Sequence, residues 1–149
     1  MNARLMPCAV MLCFLAGCAA NELSSSEISR LKGGTTTVVV YGFCIPMDHL
    51  IKTAMTRSTL DFVVDGKNVG SMQTCSHQSF NVKSGYWSTS FLPRGMSFPH
   101  NLHNQAYRPG ATQYLFMSPA GYGTFDGNWV DKSTADSGIA EIRKIGQMF

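Results

Sequence analysis

One stretch decides the fold, and it runs Thr59-Leu60-Asp61-Phe62-Val63-Val64-Asp65-Gly66-Lys67-Asn68-Val69-Gly70-Ser71-Met72. In its first half every second side chain is large and apolar, so Leu60, Phe62 and Val64 share one face of a strand. Asp-Gly between two such runs is a strong hairpin signal, because a type I′ turn needs positive φ at both central residues. The stretch therefore predicts a β-hairpin that buries one face.

Strands are also predicted on both sides of this hairpin. Thr35 to Phe43 is rich in β-branched residues and almost continuously apolar, which is typical of a strand covered on both faces. Three later runs have an alternating or apolar character: 79–82, 86–91 and 113–118. The side chains expected in the core are Phe80, Val82, Trp87 and Phe91, with Ser88 and Ser90 outside.

The segments between these strands carry turn and loop signals. Leu92 to Gly110 is rich in Pro, Asn and His and is predicted to be irregular, as is the glycine-rich segment from Pro119 to Gly127. Met47 to Ser58 has apolar residues at helical spacing and fits either a short surface helix or a loop.

The C-terminal segment predicts a helix. Ser133 and Asp136 have the spacing of an N-terminal capping box, with Asp in place of the usual Glu. Ile139, Ile142 and Ile145 follow at helical spacing, and a last strand is the alternative.

The composition agrees with this pattern. Charged residues make up 14% of the chain, against about 25% in typical globular domains. Together with the strand pattern, this predicts a mainly β protein, a small antiparallel β-sandwich at 35–149 with a short C-terminal helix. The net charge of +3 does not supply the basic surface that nucleic acid requires, so no nucleic-acid partner is expected.

The N-terminal stretch indicates where the protein resides. Residues 1–17 contain one positive charge, an apolar run of signal-peptide length, and small residues directly before Cys18. Leu15-Ala16-Gly17-Cys18 resembles the lipobox of bacterial lipoproteins, a family in which the signal is cut before the cysteine and its thiol receives a diacylglycerol. The resemblance implies a signal peptide at 1–17 and lipidation at Cys18. An ordinary secretion signal is the closer alternative. A transmembrane helix is the other, but it needs about 20 apolar residues, more than this stretch contains.

Residues 18–34 are predicted to be the lipidated cysteine and a flexible tether, because the segment is Ser-rich and ends in Gly33-Gly34. In the sorting system of Gram-negative lipoproteins, Asp after the cysteine retains the protein at the inner membrane, so Ala19 implies the outer membrane. We therefore expect a domain attached to the bacterial cell envelope by acyl chains such as palmitate, in the periplasm or at the surface.

Two cysteines remain once Cys8 and Cys13 leave with the signal and Cys18 is acylated. In an oxidising periplasm Cys44 and Cys75 are disulfide candidates. A bridge would stabilise the fold by about 3 to 4 kcal/mol on the chain-entropy model. Two buried free thiols are the alternative.

The middle of the chain resembles a known family. Three motifs carry the resemblance: Val38-Val39-Val40-Tyr41, Val64-Asp65-Gly66-Lys67-Asn68-Val69-Gly70 and Ser84-Gly85-Tyr86-Trp87. They look like the motifs of an uncharacterised family of bacterial lipoproteins, whose domain resembles the small β-sandwich modules called PEGA domains. Ser84 stands where that pattern has Pro, and Trp87 where it has His. The resemblance implies a β-sandwich and an envelope location, and it carries over no catalytic residues.

Histidines form the candidate metal site. His100 and His103 have an H-x-x-H spacing, with His49 or His77 as further ligands, and zinc or copper needs three or four converging ligands. The spacing fits only a helix, and solvated loop histidines are the commoner outcome. Cys75 and His77 are also a candidate nucleophile and base, although a secreted cysteine is more often bridged.

Aromatic side chains lie in or beside glycine-rich loops. Tyr122, Phe125 and Trp129, with Tyr107, are candidates for a patch that binds a glycan such as peptidoglycan, or an envelope protein. The alternative is that these rings fold back and seal the ends of the sandwich.

The sequence contains no phosphate cradle, nucleotide fingerprint or Ser-His-Asp hydrolase signature. We therefore expect a lipid-anchored, non-enzymatic envelope protein without a cofactor, which acts as a structural or binding module. Metal binding by loop histidines and glycan binding by loop aromatics are the alternatives.

Overall fold

The computed structural model describes residues 23–42, 44, 59–94, 103–121 and 124–146. The helices are α1 (Ser25–Arg30) and α2 (Lys132–Gly146). The strands are β1 (Thr35–Gly42), β2 (Thr59–Val64), β3 (Lys67–Gln73), β4 (His77–Lys83), β5 (Gly85–Pro93), β6 (His103–Tyr107), β7 (Thr112–Gly121) and β8 (Thr124–Val130). Among the described residues, no helix is both long enough and apolar enough to span a membrane.

Two four-stranded sheets make up the sandwich. The first sheet has the order β4-β1-β7-β8 and the second has the order β3-β2-β5-β6. Neighbouring strands are antiparallel, except that β1 and β7 are parallel. The prediction of a mainly β sandwich with a short C-terminal helix is confirmed, and the parallel pair is a feature that the local sequence pattern did not reveal.

The core lies between the two sheets, where alternating side chains from both inner faces meet. The Phe62 ring is central, with ring centroids 5.2 Å from Phe80 and 5.3 Å from Phe91. Burying one such side chain contributes about 1.5 to 3 kcal/mol. Among the described residues, the buried core contains Val38, Val40, Leu60, Phe62, Val64, Met72, Phe80, Val82, Phe91, Tyr107, Leu115 and Met117.

The hairpin at Asp65-Gly66 forms as predicted. Asp65 has φ 51° and Gly66 has φ 71°, and the flanking residues Val64 and Lys67 pair across the turn. Positive φ at both central positions is the requirement of a type I′ turn. This turn joins β2 to β3, and it fixes which face of β2 enters the core.

The prediction for β5 is confirmed in part. Phe91 is buried, and Trp87 is half-buried against the core with its Nε1 donating to the Lys83 carbonyl at 2.9 Å. Ser90 was predicted to lie outside, yet only 2% of it is exposed. That prediction is wrong because alternation sets the face on which a residue lies, whereas it does not decide whether that face is covered.

A second cluster lies on the outer face of the first sheet, where α2 packs. Its buried members are Tyr41 from β1 with Ala135 and Ile142 from α2. Val38 and Val40 of the same strand enter the main core, so β1 is covered on both faces at its C-terminal end, whereas Thr35 at its start is exposed.

Helix α2 begins before the predicted capping box. Asp131 caps it, because its Oδ1 accepts from the Thr134 backbone N–H at 2.9 Å and from the Ser133 hydroxyl at 2.5 Å. These hydrogen bonds hold the pKa of Asp131 well below its usual range. Asp136, the predicted partner of Ser133 in the box, instead pairs with Lys132 at 2.5 Å. The helix is confirmed, and the predicted cap is wrong by two residues.

The predicted flexible tether contains a helix. Ser24 is the N-cap of α1 and forms a capping box with Glu27, in which the Glu27 carboxylate accepts from the Ser24 backbone N–H at 2.8 Å. The Ser24 hydroxyl also donates to this carboxylate, and the two hydrogen bonds, the hydroxyl's first, hold the pKa of Glu27 below its usual value. Ser25–Arg30 is therefore helical within the predicted tether, because the local cap stabilises a helix too short to show a sustained period in the sequence.

Two predicted loops contain strands. His103–Tyr107 forms β6 inside the segment 92–110, and in the segment 119–127 β7 continues to Gly121 and β8 begins at Thr124. Polar residues form these strands because pairing with a neighbouring strand supplies the backbone hydrogen bonds. The prediction for Met47 to Ser58 lies outside the described residues.

Candidate functional site

One end of the sandwich collects chain segments from both sheets. There β1, β3 and β5 end and β2 and β4 begin, since Thr59 pairs with Gln73, Leu60 with Pro93, and Tyr41 with His77. Side chains from distant parts of the sequence therefore meet at this end.

A disulfide pair lies at the same end. The Cα atoms of Cys44 and Cys75 are 4.4 Å apart, and their sulfurs are within bonding distance. The Gly42 backbone N–H donates to the Ser76 carbonyl at 2.9 Å. The turn between β3 and β4 is therefore tied to the end of β1 by a covalent bond and a hydrogen bond. A bridged sulfur provides no thiolate, so this arrangement does not support Cys75 as a nucleophile for His77.

A cavity opens beside this turn, and we refer to it as the polar cleft. Its volume is about 480 Å³, within the range of about 300 to 1,000 Å³ that is usual for ligand pockets. It differs from most such pockets because it is wide open to solvent and its lining is more polar than apolar. Hydroxyl, amide and basic side chains form most of its wall. The lining residues are Thr59, Ser71, Met72, Gln73, Ser76, His77, Gln78 and Arg94.

Hydrogen bonds to backbone carbonyls hold the two sides of the polar cleft in place. The Arg94 backbone N–H donates to the Thr59 carbonyl at 3.0 Å, which places Arg94 beside the start of β2. The Ser76 hydroxyl donates to the Gln73 carbonyl at 2.5 Å and holds the opposite turn. Among the described lining residues Arg94 is the one permanent cation and none is an acid, so the cleft favours a ligand with negative charge.

The predicted metal site is not assembled in the described part of the chain. His103 is 55% exposed on β6, with its Nε2 3.2 Å from Asp126 Oδ1 on β8. The H-x-x-H prediction requires a helix at His103, and it is wrong there because the residue belongs to a strand. No group of three or more His, Cys, Asp or Glu side chains comes together among the described residues. His49 and His100 lie outside those residues, and His77 lines the polar cleft.

Two of the three predicted aromatic site residues pack against the core. Phe125 and Trp129 are half-buried on β8. The Trp129 ring meets the fully buried Tyr107 ring edge-on, with centroids 5.5 Å apart. These positions favour the alternative in which loop aromatics seal the sandwich. Tyr122 lies outside the described residues.

Sequence reasoning missed most of the cleft. Thr59, Gln78 and Arg94 belong to none of the candidate sites and are far apart along the chain. Only strand pairing brings them to one end of the sandwich, so spacing along the sequence carried no signal. His77 was singled out for other reasons, as a base beside Cys75 and as a further metal ligand.

Comparisons with protein-family models, with curated proteins and with solved structures found no significant match. The resemblances to the lipobox and to PEGA-like lipoproteins therefore stay predictions from the residues that carry them.

Proposed function

We propose that this protein is a bacterial envelope lipoprotein that carries a non-enzymatic binding module on a lipid anchor. The observation that carries the proposal is Leu15-Ala16-Gly17-Cys18, which follows an apolar run and precedes a folded domain that begins at Thr35. In this account the signal is removed, Cys18 is acylated, and the sandwich is held near the outer membrane in the periplasm or at the surface.

The segment between Cys18 and the sandwich sets how far the domain extends from the membrane, and this distance is short. Six of its residues form α1, which spans about 9 Å, because a helix rises about 1.5 Å per residue. The same residues in extended form would span about 20 Å. The domain therefore lies nearer the membrane than a fully extended tether would allow.

Binding rather than catalysis is favoured by the chemistry of the polar cleft. A hydroxyl nucleophile needs a base within hydrogen-bond reach of its proton. Ser76 is adjacent to His77 in sequence, but its hydroxyl donates to the Gln73 carbonyl. Ser71, the other serine of the lining, donates to the Asp61 carboxylate at 2.5 Å rather than to His77. Among the described lining residues the cleft thus lacks a serine–histidine pair, and it offers polar contacts and one cation.

Metabolic labelling tests the anchor. The full chain is expressed in a bacterium with a lipoprotein pathway and fed a clickable fatty acid, and label on the protein is read on a gel. We expect label on the wild type and on Cys13→Ala, and none on Cys18→Ala. Cys13 is the matched control because it lies in the predicted signal. A wild type without label, or equal label on Cys18→Ala, would refute the proposal.

A further inference from the structure

Two serine hydroxyls in the polar cleft donate their hydrogen bonds to acceptors within the protein. Ser71 Oγ donates to Asp61 Oδ1 at 2.5 Å, and Ser76 Oγ donates to the Gln73 carbonyl at 2.5 Å. Carboxylate and carbonyl oxygens only accept, so the direction of both bonds is fixed. Each serine oxygen therefore has only lone pairs left for a ligand. The ligand groups that satisfy them are hydrogen-bond donors, such as sugar hydroxyls.

Arg94 supplies the opposite chemistry. Its guanidinium has no hydrogen-bond or ion-pair partner among the described residues. Guanidinium carries five N–H donors in a planar fork, and that geometry matches a carboxylate with two parallel hydrogen bonds. The cleft thus presents a cationic donor group beside hydroxyl oxygens that accept.

We propose that the polar cleft binds a sugar acid, a ligand with several hydroxyl groups and one carboxylate. The carboxylate pairs with Arg94, and ligand hydroxyls donate to Ser71 and Ser76. The amide side chains of Gln73 and Gln78 both donate and accept, so they suit an acetamido group on the sugar. This inference rests on the proposed function as a binding module and names its ligand class.

Charge selects a carboxylate over a phosphate. Arg94 is the one permanent cation among the described lining residues, and it balances a single negative charge. A phosphate monoester carries about −1.5 to −2 charges at neutral pH. The Asp61 carboxylate, which accepts from Ser71, repels any anion in the cleft, and it repels a doubly charged anion about twice as strongly as a singly charged one. A doubly charged anion therefore lacks sufficient compensation here.

Titration of the full chain in detergent micelles tests this assignment. N-acetylmuramic acid and N-acetylglucosamine are matched probes, because they differ only by the lactyl ether that carries the carboxylate. We expect the acid to bind at least about tenfold more tightly, since a hydrogen bond to a charged group contributes about that factor or more. N-acetylglucosamine 6-phosphate is the third probe and is expected to bind more weakly than the acid.

Variants separate the two ends of the ligand. Arg94→Met is expected to lower affinity for the acid to that of the neutral sugar while leaving the neutral sugar unchanged. Arg108→Met removes the same charge at the other end of the sandwich and should change neither affinity. Ser71→Ala is expected to weaken both sugars by a similar factor, whereas Ser79→Ala, on an exposed part of β4 outside the cleft, should not. A cooperative thermal unfolding transition verifies that each variant is folded.

Several results would overturn the inference. These are equal affinity for the two sugars, tighter binding of the phosphate, no binding of the acid at about 10 mM, or an equal loss with Arg108→Met. A failed titration with normal fatty-acid label on Cys18 removes the ligand class and leaves the lipoprotein proposal intact. Sugar-acid binding without label removes the anchor and leaves the cleft assignment intact.

Discussion

Tyr107 shows how one residue connects the two sheets. Its side chain is fully buried at the end of β6, and its Oη lies 2.6 Å from Thr89 Oγ1 on β5. Its ring contacts Trp129 on β8, which belongs to the other sheet. A residue that the sequence offered as a candidate for a binding patch is therefore part of the core that closes this side of the sandwich.

Burial makes Tyr107 a source of alkaline instability. Burial of the phenol raises the pKa of Tyr107 above the value of about 10 that it has in the unfolded chain. The hydrogen bond with Thr89 only partly offsets this rise. A raised pKa in the folded state means that the contribution to stability is complete below about pH 10 and is lost as the pH rises through the folded pKa.

Urea unfolding of Tyr107→Phe at several pH values tests this point. We expect the variant to lose about 1 kcal/mol at neutral pH, because one buried hydrogen bond is removed. Above about pH 10 its free energy of unfolding should fall less steeply than that of the wild type. Tyr86→Phe is the control, since Tyr86 is only half-buried. Parallel loss in wild type and Tyr107→Phe would contradict the account.

At the scale of elements, α2 packs closely on the first sheet. A Cβ added at Gly138 would lie 2.5 Å from Cε2 of Tyr41, closer than real Cβ contacts. Glycine normally weakens a helix by about 1 kcal/mol relative to alanine. Here the residue is needed for close approach, and this explains a glycine that helix propensity alone disfavours.

Gly138→Ala should therefore destabilise the protein. The steric cost of overpacking, about 1 to 3 kcal/mol, exceeds the propensity gain of about 1 kcal/mol. Ser137→Ala, at the exposed neighbouring position, should be neutral or stabilising by a few tenths of a kcal/mol. Chemical denaturation of both variants gives the comparison. Stabilisation of Gly138→Ala by about 1 kcal/mol would show that α2 does not contact Tyr41 as described.

The disulfide pair connects β1 to the turn that borders the polar cleft. Replacing both Cys44 and Cys75 by Ala should lower the free energy of unfolding by about 3 to 4 kcal/mol, since the bridge closes a loop with a sequence separation of 31. A thiol assay on denatured, non-reduced wild type should detect neither cysteine. Free thiols at both positions, or a loss below about 1 kcal/mol, would contradict the bridge.

The elements differ in how far the sequence predicts them. The hairpin at Asp65-Gly66 is encoded by its own turn residues, and β1 by its run of apolar residues, so both were predicted. His103–Tyr107 has no alternating apolar pattern and forms β6 through long-range contacts, such as Gln105 Nε2 donating to the Gly127 carbonyl at 3.1 Å. The cleft has the same origin, because strand pairing rather than spacing brings Arg94 beside Thr59.

At the scale of the whole molecule, the protein has a rigid sandwich, the helix α1 that precedes it and, in the proposed function, a lipid anchor at Cys18. The two-sheet core and the disulfide pair make the sandwich rigid, and the polar cleft lies at one end of it. A rigid module on a lipid gains effective concentration for any envelope ligand within reach of the anchor. The location of the protein is therefore part of its proposed function.

The mass of the mature N-terminal peptide tests the central claim most directly. The full chain is purified from the membranes of a bacterium with a lipoprotein pathway, digested with trypsin and analysed by mass spectrometry. We predict that the first residue is Cys18 and that the peptide ending at Arg30 carries the mass of a diacylglycerol with its acyl chains. An unmodified Cys18, or a mature protein that begins at another residue, would contradict the account.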